Sequence, residues 1–225
     1  MTAFRNANLF KMIFPFLTSG KETWGVEHED LYPEEEAWIS GASRERRQEF
    51  IAVRACAREA LSCLGLKRPV LIAEPIRGLT WPTGIIGSMT HTKNYRAAAV
   101  ALRGEFIGIG IDAEPALPLP EGLDKRILVK TEFDTVDSFR DLSEITCWNR
   151  LIFSAKESVY KAWTPVAGRF LDFDEVTLTL TPESENTGTF TAQLSCLNPF
   201  FVAGGWTINS RLIRTAAWVR KSEFA

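Results

Sequence analysis

The chain has 225 residues, 45% of them hydrophobic and 24% charged, with a formal net charge of −2. That apolar content supports a globular core, in one large domain or two of about 110 residues each, while the charge balance excludes the global basic field that favours nucleic acid. No apolar run is long enough to span a bilayer and the four cysteines form no C-x-x-C pair, so the expectation is a cytoplasmic protein with no membrane or nucleic-acid partner, its cysteines core thiols rather than disulfides or metal ligands.

The apolar run "NLFKMIFPFLT" (8–18) is interrupted by Lys11 and Pro15 and lacks a clean small-residue cleavage site. It reads as a buried segment, not a signal peptide. Residues 20–43 are polar and loop-like, with acidic "EHED" and "PEEE". His28 in that stretch reads as a surface residue without further zinc ligands. Ser43 can then cap a long helix, "RERRQEFIAVRACAREALSCLG", stopped by Gly65. Arg47, Arg54 and Arg58 share a face of that helix beside the stripe of Phe50, Val53, Ala57 and Leu61, with Arg46 on the stripe side at its start. Guanidinium forks suit phosphate oxygens; the plain alternative is a solvated flank. Cys56 and Cys63 are spaced for one packed face.

"RPVLIAEP" reads as a short extended segment. In "LTWPTGIIGSMTHTKNYRAAAVAL" the pairs "TG" and "GS" mark turns, and "RAAAVAL" suits a buried strand. Within it "GSMTH" offers Ser88, Thr90 and His91, either a phosphate-contacting turn or a structural histidine. "GEFIGIGIDAEP" alternates as a strand: Ile107, Ile109, Ile111 and Ala113 point one way, Gly108, Gly110, Asp112 and Glu114 the other. Two carboxylates on one face at a strand end form half of an oxygen site for a hard divalent cation, or else a solvated strand end. The glycines leave room for backbone or ligand to approach.

The Pro-rich "EPALPLPEG" (114–122) is a connector, and residues 124–140 read as mixed helix. "SEITCWNRLIFSAKESVYKAW" (143–163) is a second long helix. At about 100° per residue from Leu151, Lys156 falls inside the apolar arc, Glu157 and Lys161 fall at its edge, and Ser154 and Ser158 occupy the open side. An amine inside the arc is costly unless a fixed anion meets it; the alternative is that Lys156 snorkels outward and Glu157–Lys161 is an i,i+4 pair. Then "VTLTLT", "GTFTAQLSC", "FVAGGWTIN" and "RTAAWVR" are spaced as a meander of strands.

Each half thus offers one long helix and several strands, and "FIAVRACA" rhymes with "FSAKESVYKA". The expected fold is α+β: two pseudo-twofold-related α/β subdomains, 1–111 and 112–225, each a long helix on a small, mostly antiparallel sheet, with the active site in the cleft between them. No Walker A loop, G-x-G-x-x-G fingerprint, G-x-S-x-G elbow or H-E-x-x-H is present. Three carboxylates ringed by cations are what a pyrophosphate-containing substrate with a metal requires.

The order of "GSMTH", "GIGIDAEP" and "FSAKESVYKAW" resembles the 4′-phosphopantetheinyl transferase superfamily. Its hallmarks are G-[IV]-D-x-E and a later [FW]-x-x-K-E-x-x-x-K, matched here by Gly110–Glu114 and Phe153–Lys161. Length and order resemble the large, monomeric, pseudo-twofold class, and "RRQEFIAVR", "GSMTH" and "YKAW" are most similar to actinobacterial enzymes serving large carrier-protein synthases. The resemblance implies transfer of the phosphopantetheine arm of coenzyme A to a serine of an apo acyl or peptidyl carrier protein, leaving adenosine 3′,5′-bisphosphate. It implies that Asp112 and Glu114, with the Ala113 carbonyl, bind Mg²⁺ (Mn²⁺ is also accepted by oxygen ligands), and that Glu157 completes the cluster or acts as general base. Lys161 would stabilise the pyrophosphate and Lys156 would neutralise phosphate from inside the cleft. Arg46, Arg54, Arg77, Ser88, Thr90 and His91 would hold coenzyme A, placing its phosphates in the N-terminal subdomain and the metal and catalytic helix in the C-terminal one. The connector with residues 123–150, notably "RILVK" and Trp148, is a candidate carrier-docking region. Two other readings are a non-catalytic coenzyme A or carrier-binding module on the same fold, and a phosphohydrolase using water.

Overall fold

The structure, a computed structural model, describes all residues except 1–12, 17, 26, 75–77, 141–146, 196–199 and 224–225. It is α+β, with strands β1 (Ser19–Thr23), β2 (Ala73–Glu74), β3 (Gly78–Leu79), β4 (Ile85–Thr92), β5 (Tyr95–Leu102), β6 (Phe106–Pro115), β7 (Val176–Pro182), β8 (Thr187–Leu194), β9 (Phe200–Ile208) and β10 (Leu212–Arg220). The helices are α1 (Pro33–Ile39), α2 (Arg44–Ser62), α3 (Asp124–Ile127), α4 (Lys130–Arg140) and α5 (Trp148–Ala167).

Hydrogen bonding sets two large antiparallel sheets beside a two-stranded β2-β3 ribbon. The first runs β1-β5-β4 and the second β6-β10-β9-β8-β7, so β6 belongs wholly to the second. The alternation in "VTLTLT" and "GTFTAQL" buries Val176, Leu178 and Leu180, then Phe190, Ala192 and Leu194, all on the face that meets α5 and α4. In the first sheet the small residues of β5 lie flat under α2, where Ala57, Ala60 and Leu61 meet Ala98 and Val100. The β4–β5 hairpin closes on Lys93 and Asn94, and Asn94 takes the left-handed conformation (φ 61°) that asparagine tolerates in such turns.

The two sheets meet where β4 lies against β6, without a backbone ladder. Side chains substitute for it: the Ile111 amide donates to Ser88 Oγ at 3.0 Å, and the Ala113 amide to Thr90 Oγ1 at 3.2 Å. Helix α5 crosses β6 closely because Gly110 has no side chain; a Cβ there would stand 1.9 Å from the Ser158 carbonyl oxygen. Of the two possibilities the sequence leaves for that glycine, the structure shows backbone approach.

Several expectations are corrected. The stretch 20–43 is not all loop, for it holds β1 and α1. Its acidic runs are partners of the α2 arginines: Arg58 bonds Glu29 (2.9 Å) and the fully buried Glu35 (2.6 Å), and Arg47 bonds Glu36. Cys56 is buried, and burial raises its thiol pKa to about 12, whereas Cys63 is exposed. Cys196 and most of the 8–18 run lie outside the described residues, although Phe14 is buried. Helix α5 continues past Trp163 through Pro165 and stops at Gly168, whose φ of 66° suits a residue without a Cβ. Ser154 and Ser158 do not face solvent; both are fully buried, because the supposed open side of α5 packs on β6. Trp148 is buried between Phe139 and Trp206 and offers no docking surface.

Candidate active site

The seam between the sheets gathers charge around Asp112. Its register opposite Thr215 of β10 directs the side chain towards α5. There Lys161 Nζ donates to Asp112 Oδ1 at 2.6 Å and to the Ile111 carbonyl at 3.2 Å. Thr90 Oγ1 donates to the same Oδ1 at 3.2 Å, and Ser154 Oγ donates to Oδ2 at 2.8 Å. Thr215 Oγ1 in turn donates to the Ser154 carbonyl at 2.8 Å. The aspartate side chain is thereby fixed from α5 and β4, with β10 bracing Ser154.

Glu114 and Glu157 stand beside it under different constraints. Arg150 Nη1 bonds Glu114 Oε2 at 2.6 Å while its other nitrogens hold the carbonyls of Leu117 and Pro118, tying the Pro-rich connector to α5. Burial raises the Glu114 carboxyl above its ordinary range, helped by the Asp112 charge and opposed by Arg150 and Lys161. Burial raises Glu157 as well; Asp112 and Glu114 add to the shift and Lys161 opposes it. These are three carboxylates near enough to repel one another in a half-dry seam. That is the donor chemistry of a hard-cation site, and a cation would relieve the repulsion. Among the described residues, however, no three His, Cys, Asp or Glu side chains are grouped closely enough to grip an ion as they stand, since Arg150 engages Glu114 and Lys161 engages Asp112.

A second centre lies at the start of α2. Arg46 Nη1 donates to His91 Nε2 at 2.8 Å, which requires a neutral imidazole with its proton on Nδ1. Burial lowers the His91 pKa, with Arg46, Lys161 and Arg96 acting the same way against Glu49. Between the halves, a cleft of about 230 Å³ is lined by Trp81, Met89, Tyr160, Lys161, Pro165 and Phe170 among others. Tyr160 and Phe170 stack with ring centres 6.0 Å apart. Gly87 makes room for the Trp81 indole, which a Cβ would approach to 2.6 Å.

Asp112, Glu114, Glu157, Lys161, Thr90, Ser88, His91 and Arg46 thus lie along one seam. Two of the expected ligand-binding residues do not. Lys156 points away from the cleft into the second half, 2.8 Å from Glu132 Oε2, and donates to the Ile127 and Phe173 carbonyls at 2.8 and 2.9 Å. The fixed anion demanded by its place in the apolar arc is a carboxylate of the chain itself. Arg54 is buried against the Phe50 ring and donates to the Leu71 carbonyl at 2.9 and 3.1 Å. Arg77 lies outside the described residues. Sequence reasoning missed Ser154, Thr215, Arg150, Arg96 and Glu49. Only Ser154 carried a signal, a hydroxyl two turns before Lys161 on the same face of the helix.

Two sheets that meet at a carboxylate-rich seam with flanking cations, beside a cleft between the halves, suit an enzyme acting on a phosphorylated substrate. Residues 34–101 match the 4′-phosphopantetheinyl transferase N-terminal domain, and residues 108–211 match the 4′-phosphopantetheinyl transferase superfamily. The chain is 41% identical to the 4′-phosphopantetheinyl transferase Svp of Streptomyces mobaraensis, over 83% of this chain and 77% of that protein. It is 43% identical to Npt of Nocardia iowensis over 74% and 76%, and 36% identical to PptT of Mycobacterium tuberculosis over 82% and 84%. The chain belongs to the 4′-phosphopantetheinyl transferase superfamily, enzymes that move the phosphopantetheine arm of coenzyme A to carrier proteins. Among the described residues no helix is long and apolar enough to cross a membrane.

Proposed function

We propose that this chain is a monomeric, Mg²⁺-dependent 4′-phosphopantetheinyl transferase acting on apo acyl or peptidyl carrier domains of fatty-acid, polyketide or nonribosomal-peptide synthases, siderophore assembly included. The observation that carries the reading is the convergence of Asp112, Glu114, Glu157 and Lys161 beside a cleft shared by both halves, which Lys161 lines. The division of labour follows the seam: the N-terminal half holds coenzyme A phosphates through Arg46, His91 and the Ser88–Thr90 strand, and the C-terminal half supplies the carboxylates and the catalytic helix.

Mg²⁺ would be held by Asp112 and Glu114 with the Ala113 carbonyl, and Glu157 would complete the cluster through water, leaving its carboxylate free. Bound there, the ion would neutralise charge on the pyrophosphate. Lys161, fixed by Asp112 and the Ile111 carbonyl, stabilises negative charge as the leaving phosphate departs. Glu157, whose pKa burial has raised, takes the proton of the carrier serine as its oxygen bonds to the phosphopantetheine phosphorus. The bond to adenosine 3′,5′-bisphosphate breaks in the same displacement. A raised carboxyl pKa suits a base working near neutrality.

The exposed Lys125, Arg126 and Lys130, with exposed Leu117 on the connector that Arg150 ties down, form a basic and apolar patch suited to an acidic carrier. Ile127 and Leu128 of "RILVK" are buried and serve the core instead. Intact-mass spectrometry of an apo carrier protein incubated with the chain, coenzyme A and Mg²⁺ tests the proposal. A gain of one phosphopantetheine arm, lost with EDTA, is expected. No gain across carriers of several synthase types, with coenzyme A bound, would leave only a binding module, and release of phosphopantetheine without a carrier would mark a hydrolase.

A further inference from the structure

We propose that Glu49 is an internal counter-ion that competes with a ligand phosphate for the cradle formed by Arg46, His91 and Arg96; the inference rests on the coenzyme A reading above. Glu49 lies on α2 one turn beyond Arg46, and the three basic groups end at its one carboxylate. Its Oε2 is 3.5 Å from Arg46 Nη1 and 3.4 Å from His91 Nε2, and its Oε1 is 3.7 Å from Arg96 Nη2. Arg96 Nε is buried without a hydrogen-bond partner among the described residues. The cradle adjoins the catalytic seam closely enough for Lys161 to act electrostatically on His91.

The distances decide what Glu49 does. The two arginine contacts, at 3.5 and 3.7 Å, are longer than a good charge-assisted hydrogen bond of about 2.7–2.9 Å, and His91 Nε2, which accepts from Arg46, turns no proton to Glu49 Oε2 at 3.4 Å. The Arg46 side chain is also half-exposed, with 52% of its surface open, so its pair with Glu49 contributes little to stability; Arg96 is more enclosed, at 14%. The arrangement holds the cations together without saturating them, as a loosely seated substitute anion would. With His91 neutral, the two arginines and Glu49 leave one net positive charge. A phosphate entering the cradle must displace the carboxylate or sit beside it. The cradle therefore binds phosphate less tightly than its arginines allow, and releases a phosphorylated product faster.

Replacing the carboxylate by its neutral isostere removes the competitor and doubles the net positive charge. The weak contacts that are lost count for less than the repulsion relieved. Glu49→Gln is expected to lower the Kd for coenzyme A roughly tenfold, measured by isothermal titration calorimetry on the full chain, and to steepen its salt dependence. Glu49→Asp, with its shorter carboxylate, is expected to fall between wild type and Glu49→Gln. In turnover assays KM falls while kcat does not rise, and adenosine 3′,5′-bisphosphate inhibits more strongly. A gain seen with coenzyme A but not with dephospho-coenzyme A assigns the cradle to the 3′-phosphate, and an equal gain with both assigns it to the pyrophosphate; both support the competitor role. A Glu49→Gln protein with wild-type circular dichroism and unchanged or weaker coenzyme A binding overturns it. A wild-type chain that fails to bind coenzyme A would overturn the transferase reading, and this inference with it.

Discussion

Lys156→Met separates a residue that meets phosphate from one that ties the protein together. Lys156 and Glu132 are both about 1% exposed and 2.8 Å apart. The ammonium also satisfies the Ile127 and Phe173 carbonyls, so its three donors all meet acceptors on different segments. Glu132 accepts the Leu178 and Val129 amides at 2.8 Å each. Methionine keeps the volume of the lysine stem but strands a buried carboxylate and two carbonyls. Breaking a buried pair from one side costs about 3–5 kcal/mol. The two amides still serving Glu132 place the loss near the lower bound. At roughly 2–4 °C per kcal/mol for a chain of this size, the melting temperature should fall by about 6–12 °C. The assay is thermal unfolding followed by near-ultraviolet circular dichroism, with coenzyme A affinity measured by calorimetry well below the variant's transition. Affinity should stay within about threefold of wild type. An unshifted melting temperature with coenzyme A binding lost tenfold would refute the structural placement and return Lys156 to the cleft.

Glu157→Gln should suppress transfer yet raise the melting temperature at pH 7 by roughly 1–3 °C. The folded carboxyl pKa is raised, so ionisation costs stability as pH rises through that pKa, and the gain should vanish near pH 4, where the wild-type carboxyl is protonated in both states. In the wild type, kcat/KM should fall as pH drops and the Glu157 carboxylate gains a proton, a limb that a pH–rate profile on a carrier protein would show and Glu157→Gln would lack. Asp112→Asn should cut transfer at least about a hundredfold with far-ultraviolet circular dichroism unchanged, since it releases Lys161 but keeps a polar partner for Ser154 and Thr90; a rate near wild type would sink the catalytic assignment. Gly110→Ala should destabilise by at least about 1–3 kcal/mol, because its Cβ would meet the Ser158 carbonyl at 1.9 Å; urea unfolding would show this, and an activity loss exceeding the stability loss would report α5 lifting away from Asp112.

What could be read from sequence was whatever depends on local periodicity. The alternation in β7 and β8 specifies strands and their inward faces, β6 and β10 read as strands but are buried on both faces, and the 3.6-residue pattern with Ser43 as cap fixes α2 within three residues. The carboxylates and Lys161 were legible because they interrupt those patterns. Non-local pairing was not legible. Nothing in "EFDTVD" announces that Glu132 will reach the ammonium of Lys156, 24 residues on. Nothing in "PEEE" says that Glu35 rather than a ligand will take Arg58. Helix α1 escaped notice because three consecutive glutamates resemble a solvated loop; the fold turns Glu35 inward to meet Arg58 and the Leu71 amide. Ser154 was assigned to the wrong side because the helical wheel shows an apolar arc but cannot show a second buried face built from glycine and hydroxyls.

The two long helices apply the same rule to their charges. On α5, Lys156 is sealed by Glu132 and two carbonyls, while Lys161, five residues on, holds Asp112 with 27% of its side chain still open. On α2, Arg54 and Arg58 are sealed by Glu35, Glu29 and the carbonyls of Leu71 and Pro69, while Arg46 remains half-exposed beside His91. Each helix spends its buried cations on anchoring its own half and leaves a partly satisfied cation at the seam. A cation with a complete shell has no capacity for a substrate, and one with an incomplete shell attracts an anion without the cost of breaking a buried pair. The neighbours Lys156 and Glu157 divide in the same way: the lysine completes the core, and the glutamate, raised in pKa by burial and repelled by Asp112 and Glu114, is only partly matched by Lys161 at the seam. On the proposed reading, the site is marked by the residues whose charge the fold leaves incompletely matched, at the line where the two sheets touch.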